Sequence, residues 1–115
     1  MGNPISRSKS RVIDSAIAQS ATTSTESVAI PPGVMSVLVE VPTIDSATVG
    51  LTVSHDNATF YDLTNVDDSV QGRQTAGTGQ EMVPFILYGG PTHCKVKLGA
   101  SQTSGAVTCK VSFSS

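Results

Sequence analysis

The stretch MSVLVEVPTIDSATVGLTVS, residues 35–54, decides the fold class because apolar side chains recur in it at every second position. Before Pro42, one face carries the apolar residues Met35, Val37, Val39 and Val41. After Pro42, the same alternation returns with Val49, Leu51 and Val53. A spacing of two is that of a β-strand with one face in a core and the other in solvent. The stretch therefore predicts two half-buried strands.

Turn-forming residues follow the second of these strands. The segment 55–57, His-Asp-Asn, predicts a turn, and the segment 60–63, Phe-Tyr-Asp-Leu, predicts the strand after it. A hairpin is the simplest arrangement of the two. Farther along, residues 82–87 predict another apolar strand, in which Pro84 lacks a backbone N–H. Pro84 therefore predicts an edge position or a β-bulge.

The clearest alternation lies near the C-terminus. Two runs have apolar residues at every second position: Cys94, Val96 and Leu98, then Val107, Cys109, Val111 and Phe113. Joined by a turn rich in Gly, Ser and Thr, they predict a hairpin that sets Cys94 opposite Cys109 with both thiols facing the core. The preferred interpretation is a buried pair of free thiols, as expected in a reducing cytosol. A cross-strand disulfide is the alternative.

The composition supports one all-β domain. The chain has 115 residues, of which 14% are charged and 4% are aromatic, and it has no Trp. That length suits a single core, and the abundant Ser, Thr, Gly, Val and Ala are typical of short strands and turns. With about six to eight short strands, the sequence predicts a single antiparallel β-sandwich or jelly-roll-like domain over residues 27–115.

Residues 1–26 differ from the rest and predict an extended N-terminal arm. They combine basic residues with a Ser/Thr-rich run at 20–25, and they have too few apolar side chains for a core of their own. The spacing of Ile13 and Ile17 leaves a short helical turn and a strand equally open. The residues of the arm expected to contact a partner are Arg7, Lys9, Arg11, Val12, Ile13 and Ile17.

A second partner contact is predicted in the connection at residues 64–80. This segment has few apolar side chains and three glycines, Gly72, Gly77 and Gly79. Connections of that length in a small domain are usually functional or mobile. The residues of this loop expected to bind a partner are Asp67, Asp68 and Arg73.

The charge and hydropathy patterns argue against two classes of partner. The net charge is −2, and the seven Lys and Arg residues form no basic stripe that would neutralise a run of phosphates. No apolar run approaches the roughly 18 to 20 residues that cross a bilayer, and no N-terminal apolar segment reads as a signal peptide. We therefore expect a protein of cytosolic origin with neither nucleic acid nor membrane as its partner.

No residue pattern predicts an active site, a metal site or a cofactor. His93 and Cys94 are consecutive strand residues and point to opposite faces, so they do not form a dyad without a bulge. An enzyme would need a cleft that brings His55 to Asp62 or Asp67. The carboxylates and the amide considered as calcium ligands lack the spacing of a known calcium loop: Asp56, Asn57, Asp62, Asp67 and Asp68.

Two long stretches resemble a known family. They are SVAIPPGVMSVLVEVPTIDSATVGLTVSHDNATFYDLTN at 27–65 and MVPFILYGGPTHCKVKLGASQTSGAVTCKVSFSS at 82–115. In layout they resemble small β-sandwich virion proteins of tailed bacteriophages. Val53, Ser54 and Asp56 match the V-S-x-D turn of that family, and residues 59–63 match its T-F-Y-D-L-like strand. Lys97, Leu98 and Gly99 match the K-V-x-x-G hairpin of the family loosely.

The resemblance implies a non-enzymatic virion component assembled in the host cytoplasm. The main hypothesis is a capsid decoration or cement protein that binds and stabilises the shell of major capsid protein, as a trimer or dimer, with its arm over neighbouring virion subunits. One alternative is a subunit of a phage tail, neck, baseplate or fibre. A second is a carbohydrate-binding sandwich, which would need exposed rings from the five aromatic residues Phe60, Tyr61, Phe85, Tyr88 and Phe113.

Overall fold

The fold is that of a computed structural model, which describes residues 12–24, 26–44, 47–75, 78–102 and 105–114. Within these ranges the chain forms nine β-strands. Their bounds are β1 Val12–Ile17, β2 Val28–Ala29, β3 Ser36–Thr43, β4 Thr48–Ser54, β5 Tyr61–Asp62, β6 Gly72–Gln74, β7 Thr78–Ile86, β8 His93–Leu98 and β9 Val107–Ser114. None of the described segments forms a helix long and apolar enough to cross a membrane.

The strands form two antiparallel sheets. The first sheet has four strands in the order β1-β9-β3-β7. The second has five, in the order β2-β8-β4-β5, with β6 also paired to β4. Their inner faces enclose one apolar core. The prediction of an all-β antiparallel sandwich is therefore confirmed.

The predicted alternation of β3 is present in the structure. Val37, Val39 and Val41 are at most 1% exposed, while the residues between them are half-buried. Each such side chain stabilises the fold by about 2 kcal/mol through removal of apolar surface from water. Met35, predicted to share this face, is instead 61% exposed, because it precedes the first residue of the strand.

The predicted C-terminal hairpin is wrong. β8 lies in the second sheet between β2 and β4, whereas β9 lies in the first sheet between β1 and β3. Alternation fixes which face of a strand is buried, but it does not choose the neighbouring strand. Cys94 and Cys109 are both fully buried and free, and they enter the core from different sheets.

The segment predicted as an arm contains a strand of the sandwich. β1 pairs with β9 over all six of its residues, from Val12↔Ser112 to Ile17↔Val107. Ile17 has no exposed surface, so in this fold it belongs to the core and does not reach a partner. The boundary predicted after residue 26 thus differs from the structure over residues 12–24. Arg7, Lys9 and Arg11 lie outside the described residues.

The chain between β4 and β7 is more ordered than the predicted long loop. β4 and β5 form the expected hairpin, with Thr52 opposite Asp62 and Val53 opposite Tyr61. β6 then returns to pair with β4 in the register Val49↔Arg73. Arg73 therefore lies in a strand, and the loop that remains between β5 and β6 spans residues 63–71.

Candidate interaction surfaces

The free edge of β7 is covered by two side chains from the segment that includes β6. Gln71 is buried, and its amide pairs with Ile86 in both directions: Nε2 donates to the Ile86 carbonyl at 2.7 Å, and Oε1 accepts from the Ile86 N–H at 2.9 Å. Arg73 donates from Nη1 to the carbonyl of Met82 at 3.0 Å. The two side chains bind the edge of the first sheet and connect it to the second.

Pro84 completes this protection. Residues 82, 84 and 86 direct their backbone groups to the same side of the strand, and Pro84 has no N–H to offer there. A sheet edge with free N–H and C=O groups is a template for pairing with another chain, and proline is one of the residues that block it. The edge position predicted from Pro84 is confirmed, since β7 is the last strand of its sheet.

A band of apolar side chains lies on the outer face of the first sheet, away from the core. We call it the outer apolar band and define it by Leu38, Met82, Pro84 and Ile86. Leu38 lies directly opposite Pro84, with Met82 and Ile86 two residues away on each side. Met82 is 46% exposed and Ile86 is 53% exposed. Contiguous exposed apolar surface of this kind marks an interaction site more often than scattered single residues do.

The predicted contact loop makes mainly internal contacts. The carboxylate of Asp67 accepts from the N–H and the hydroxyl of Ser69, at 3.0 and 2.6 Å, and these bonds hold the pKa of Asp67 below its usual range. Asp68 takes a left-handed backbone conformation with φ of 70°. Arg73 is engaged at the edge of β7. The large apolar side chains exposed there are Val66 and Val70, at 83% and 59%.

A small depression lies on the outer face of the second sheet. It is lined by residues of β4, β5 and β8 and by Val70 and Gln71. An ion pair between Lys97 Nζ and Asp62 Oδ1, at 3.2 Å, borders it. Its volume is about 110 Å³, whereas pockets for drug-sized molecules are about 300 to 1,000 Å³. The depression is smaller than the pockets that enclose drug-sized molecules.

The carboxylate of Asp56 organises the turn after β4. It accepts hydrogen bonds from the N–H groups of Thr59 at 3.0 Å and Ala58 at 2.9 Å, and from the Ser54 hydroxyl at 2.8 Å. These bonds, the one from Thr59 most of all, lower the pKa of Asp56 to about 2. Asn57 follows with φ of 57°, a conformation that Asn tolerates. Turn formation accounts for these residues without a bound cation.

The two histidines considered as catalytic candidates form hydrogen bonds with neighbouring groups. His55 Nε2 lies 2.9 Å from the carbonyl oxygen of Gly89, and His93 Nδ1 lies 2.9 Å from the hydroxyl of Thr92. Asp62 pairs with Lys97. Across the described residues, no three His, Cys, Asp or Glu side chains converge in a way that would hold a metal ion.

The two thiols are kept protonated by their surroundings. Burial raises the pKa of Cys94 to about 12 and that of Cys109 to about 11. A nucleophilic cysteine needs the opposite, a thiolate stabilised by a nearby positive charge or helix N-terminus. Both cysteines therefore act as small apolar core residues.

The aromatic residues divide between core and surface. Phe85 and Phe113 are buried, and Phe60 is half-buried with Lys95 Nζ 4.9 Å from the centre of its ring. Tyr61 is 65% exposed and Tyr88 is 44% exposed. Tyr61 belongs to the second sheet, while Tyr88 follows the last strand of the first.

Comparison with solved structures finds a protein of similar fold. The prophage-derived protein YomS of SPBc2 matches with a TM-score of 0.53 and 18% identity, over 90% of this chain and 96% of that chain. The chain shares its fold with YomS. At that identity the similarity extends to the fold and no further.

A second solved structure is less similar. The capsid asymmetric unit of cyanophage Pam1 matches with a TM-score of 0.35 and 16% identity, over 90% of this chain and 81% of that chain. This TM-score is too low for the similarity to carry an argument. No protein family and no curated protein matches the sequence.

Proposed function

We propose that this protein is a non-enzymatic virion structural subunit, a capsid decoration or cement protein that binds the shell of major capsid protein and stabilises it. The observation that carries the proposal is the outer apolar band on the first sheet. It is a solvent-facing apolar surface on a domain that already has a complete core, so its burial requires a partner.

The surroundings of the band suit a protein partner. Ser36 and Glu40 flank Leu38 on β3. On β9, Ser112 lies opposite Leu38 and Lys110 lies opposite Glu40. An apolar centre with a polar rim is the usual composition of a protein interface. The fold shared with YomS, itself described as prophage-derived, agrees with a phage origin. The engaged histidines and protonated thiols support a role without catalysis.

The proposal includes basic residues outside the described part of the chain as contacts to a partner. Arg7, Lys9 and Arg11 would reach neighbouring virion subunits from the first strand of the sandwich, while Val12 and Ile13 on that strand remain exposed or half-buried. A module that gains stability from its partners is consistent with assembly in the host cytoplasm followed by incorporation into the virion.

Quantitative mass spectrometry of purified particles tests the proposal. We expect the protein in mature particles at a copy number comparable to that of the major capsid protein. A few copies per particle would instead support the alternative of a tail, neck, baseplate or fibre subunit. Absence from purified particles would overturn both.

The exposure of Tyr61 and Tyr88 favours a second candidate, a carbohydrate-binding module, because sugar rings stack on exposed aromatic side chains. Glycan-array binding that is lost in Tyr88→Ala would support it. Binding that is unchanged in that variant, or no binding at all, would leave the tyrosines without such a role.

A further inference from the structure

The two edges of the first sheet differ in their protection. The β7 edge is covered by Gln71 and Arg73 and interrupted by Pro84. The β1 edge has the sequence Val-Ile-Asp-Ser-Ala-Ile, without proline or lysine, and β1 pairs only with β9 among the described residues. Proteins usually blunt an exposed edge strand, and an edge that stays open is suited to pairing with another strand.

The ladder shows which backbone groups of β1 face outward. Leu87 donates its N–H to the carbonyl of Met35, while both backbone groups of Ile86 point away to Gln71. In an antiparallel sheet, successive residues direct these groups to opposite sides. Odd-numbered residues of β7 and β3 bond to each other, so even-numbered residues of β3 bond to even-numbered residues of β9. Odd-numbered residues of β9 then bond to odd-numbered residues of β1. The N–H and C=O groups of the even-numbered residues of β1 therefore point outward. These residues are Val12, Asp14 and Ala16.

An unsatisfied hydroxyl lies in the middle of this edge. Ser15 is 1% exposed, and its Oγ has no hydrogen-bond partner in the described part of the chain. A buried hydroxyl without a partner is unfavourable, and native structures rarely leave one. Because Ser15 belongs to the outermost strand, a second strand added to the edge would place new side chains directly beside it.

We propose that two copies of this chain associate through antiparallel pairing of β1 with β1, centred on Ser15 opposite Ser15 of the second copy. This register sets Asp14 of each copy opposite Ala16 of the other. The outward-facing N–H and C=O groups of each such pair then form hydrogen bonds, and the two pairs are related by the symmetry of the dimer. Directly opposed residues have Cβ atoms about 4.5 to 5.5 Å apart, within reach of a hydrogen bond between the two hydroxyls. The two sheets then form one continuous eight-stranded sheet.

The neighbouring registers are less favourable. Centring the pair on Asp14 would place two carboxylates directly opposite each other, and like charges in that position are destabilising. Centring it on Ala16 would set Ser15 against Ile17 and leave the hydroxyl without a partner. The Ser15-centred register also sets the half-buried Ile13 opposite Ile17 of the other copy.

This interface rests on the proposed function, for which the sequence leads us to expect a trimer or dimer, and its test uses the isolated full-length protein. Failure of the test therefore leaves capsid binding to be judged on particles. Light scattering across a concentration series should show a species of twice the 11.8 kDa chain mass. A single-chain mass at every concentration would overturn the proposal.

Proline at position 16 tests whether the β1 edge is the interface. Ala16→Pro removes an outward N–H and spares the bonds that odd-numbered residues make to β9, so circular dichroism should show the fold intact. Two symmetric hydrogen bonds are lost, and the dimer dissociation constant should rise at least about tenfold. A folded variant that dimerises as well as wild type would contradict the interface.

A cysteine pair tests the register even if the proline variant fails to fold. Ser15→Cys should form a disulfide-linked dimer on mild oxidation, because the opposed Cβ atoms are close to the separation of a disulfide. The matched control Ala16→Cys lies opposite Asp14 and should remain uncrosslinked. Denaturing the oxidised sample in excess alkylating reagent blocks the buried Cys94 and Cys109 as they become exposed, so that they do not exchange with the crosslink. A crosslink in Ala16→Cys, or none in Ser15→Cys, would overturn the register.

Discussion

At the level of single residues, Asp56 provides a pH-dependent contribution to stability. Its carboxylate accepts hydrogen bonds in the folded state, which lower its pKa from 3.8 to about 2. A depressed pKa means that the stabilisation is present above 3.8 and is lost as the pH falls toward 2. A carboxyl chemical-shift titration should give a midpoint near 2.

The matched variant Asp56→Asn separates the charge from the turn. The amide oxygen of Asn still accepts the N–H groups of Ala58 and Thr59, so the turn should persist. The part of the acid-induced loss of stability that is due to this group should disappear in the variant. A titration midpoint close to 3.8 in the wild type would contradict the hydrogen-bond geometry.

The buried thiols should make the folded state less stable at alkaline pH. The pKa of each is raised above its ordinary value of 9.0, to about 12 for Cys94 and about 11 for Cys109. The unfolded chain ionises first, so the free energy of unfolding should fall as the pH rises above 9. In the native state at mildly alkaline pH, neither thiol should react with a disulfide reagent, and both should react after denaturation. Rapid native labelling or a disulfide in the non-reduced mass would contradict this.

Two glycines of the second sheet should differ in how much their substitution by alanine destabilises the fold. A Cβ on Gly72 would lie 2.9 Å from the carbonyl oxygen of Val49, so β4 and β6 would have to separate. We expect Gly72→Ala to lower the free energy of unfolding by about 1 to 3 kcal/mol. The control Gly50→Ala places its Cβ 3.6 Å from the nearest atom and should change it by less than about 1 kcal/mol. Equal effects in denaturant unfolding would contradict the close approach at Gly72.

At the level of elements, Gln71 determines whether the β7 edge stays closed. Gln71→Leu would leave both backbone groups of Ile86 without their partner, and we expect a loss of about 2 kcal/mol together with aggregation. Gln71→Glu keeps an acceptor for the Ile86 N–H but no donor for its carbonyl, so its effect should be intermediate. Thermal unfolding and light scattering measure both. A Gln71→Leu variant as stable and soluble as wild type would show that the edge needs no protection.

The elements also show which features the sequence encodes locally. The faces of β3, β8 and β9 were predictable, since each depends only on the alternation within its own strand. The partner of β9 was not, because the chain between residues 98 and 107 is long enough to pass from one sheet to the other. β1 was placed in the arm because its six residues stand between polar segments, and only pairing with β9 reveals them as a strand.

The candidate surfaces were less predictable than the strands. Pro84 marked an edge from the sequence alone, since it lacks a backbone donor. Nothing in the sequence identifies Gln71 as its companion, because the bond joins a loop residue to Ile86 of β7, 15 positions away. The unsatisfied hydroxyl of Ser15 is likewise a property of the folded sheet and has no signature in the sequence.

At the level of the whole molecule, the described residues form a sandwich with a buried core and an apolar outer face. One edge of its first sheet, β7, is covered, and the other, β1, is open among the described residues. These features assign different contacts to different surfaces. The open β1 edge is available to a second copy of the chain, and the outer apolar band is available to another protein. The core and the covered edge are formed by the domain's own residues and belong to neither contact.

The most direct test is co-sedimentation of the full-length protein with phage heads that lack it, using wild type and two lysine variants. Met82→Lys places a charge in the outer apolar band beside Glu40, and Val66→Lys is a matched change in the 63–71 loop. Wild type and Val66→Lys should pellet with the heads, while Met82→Lys should bind at least about tenfold more weakly. Wild-type protein that stays in the supernatant, or Met82→Lys that binds as wild type does, would contradict the proposed function.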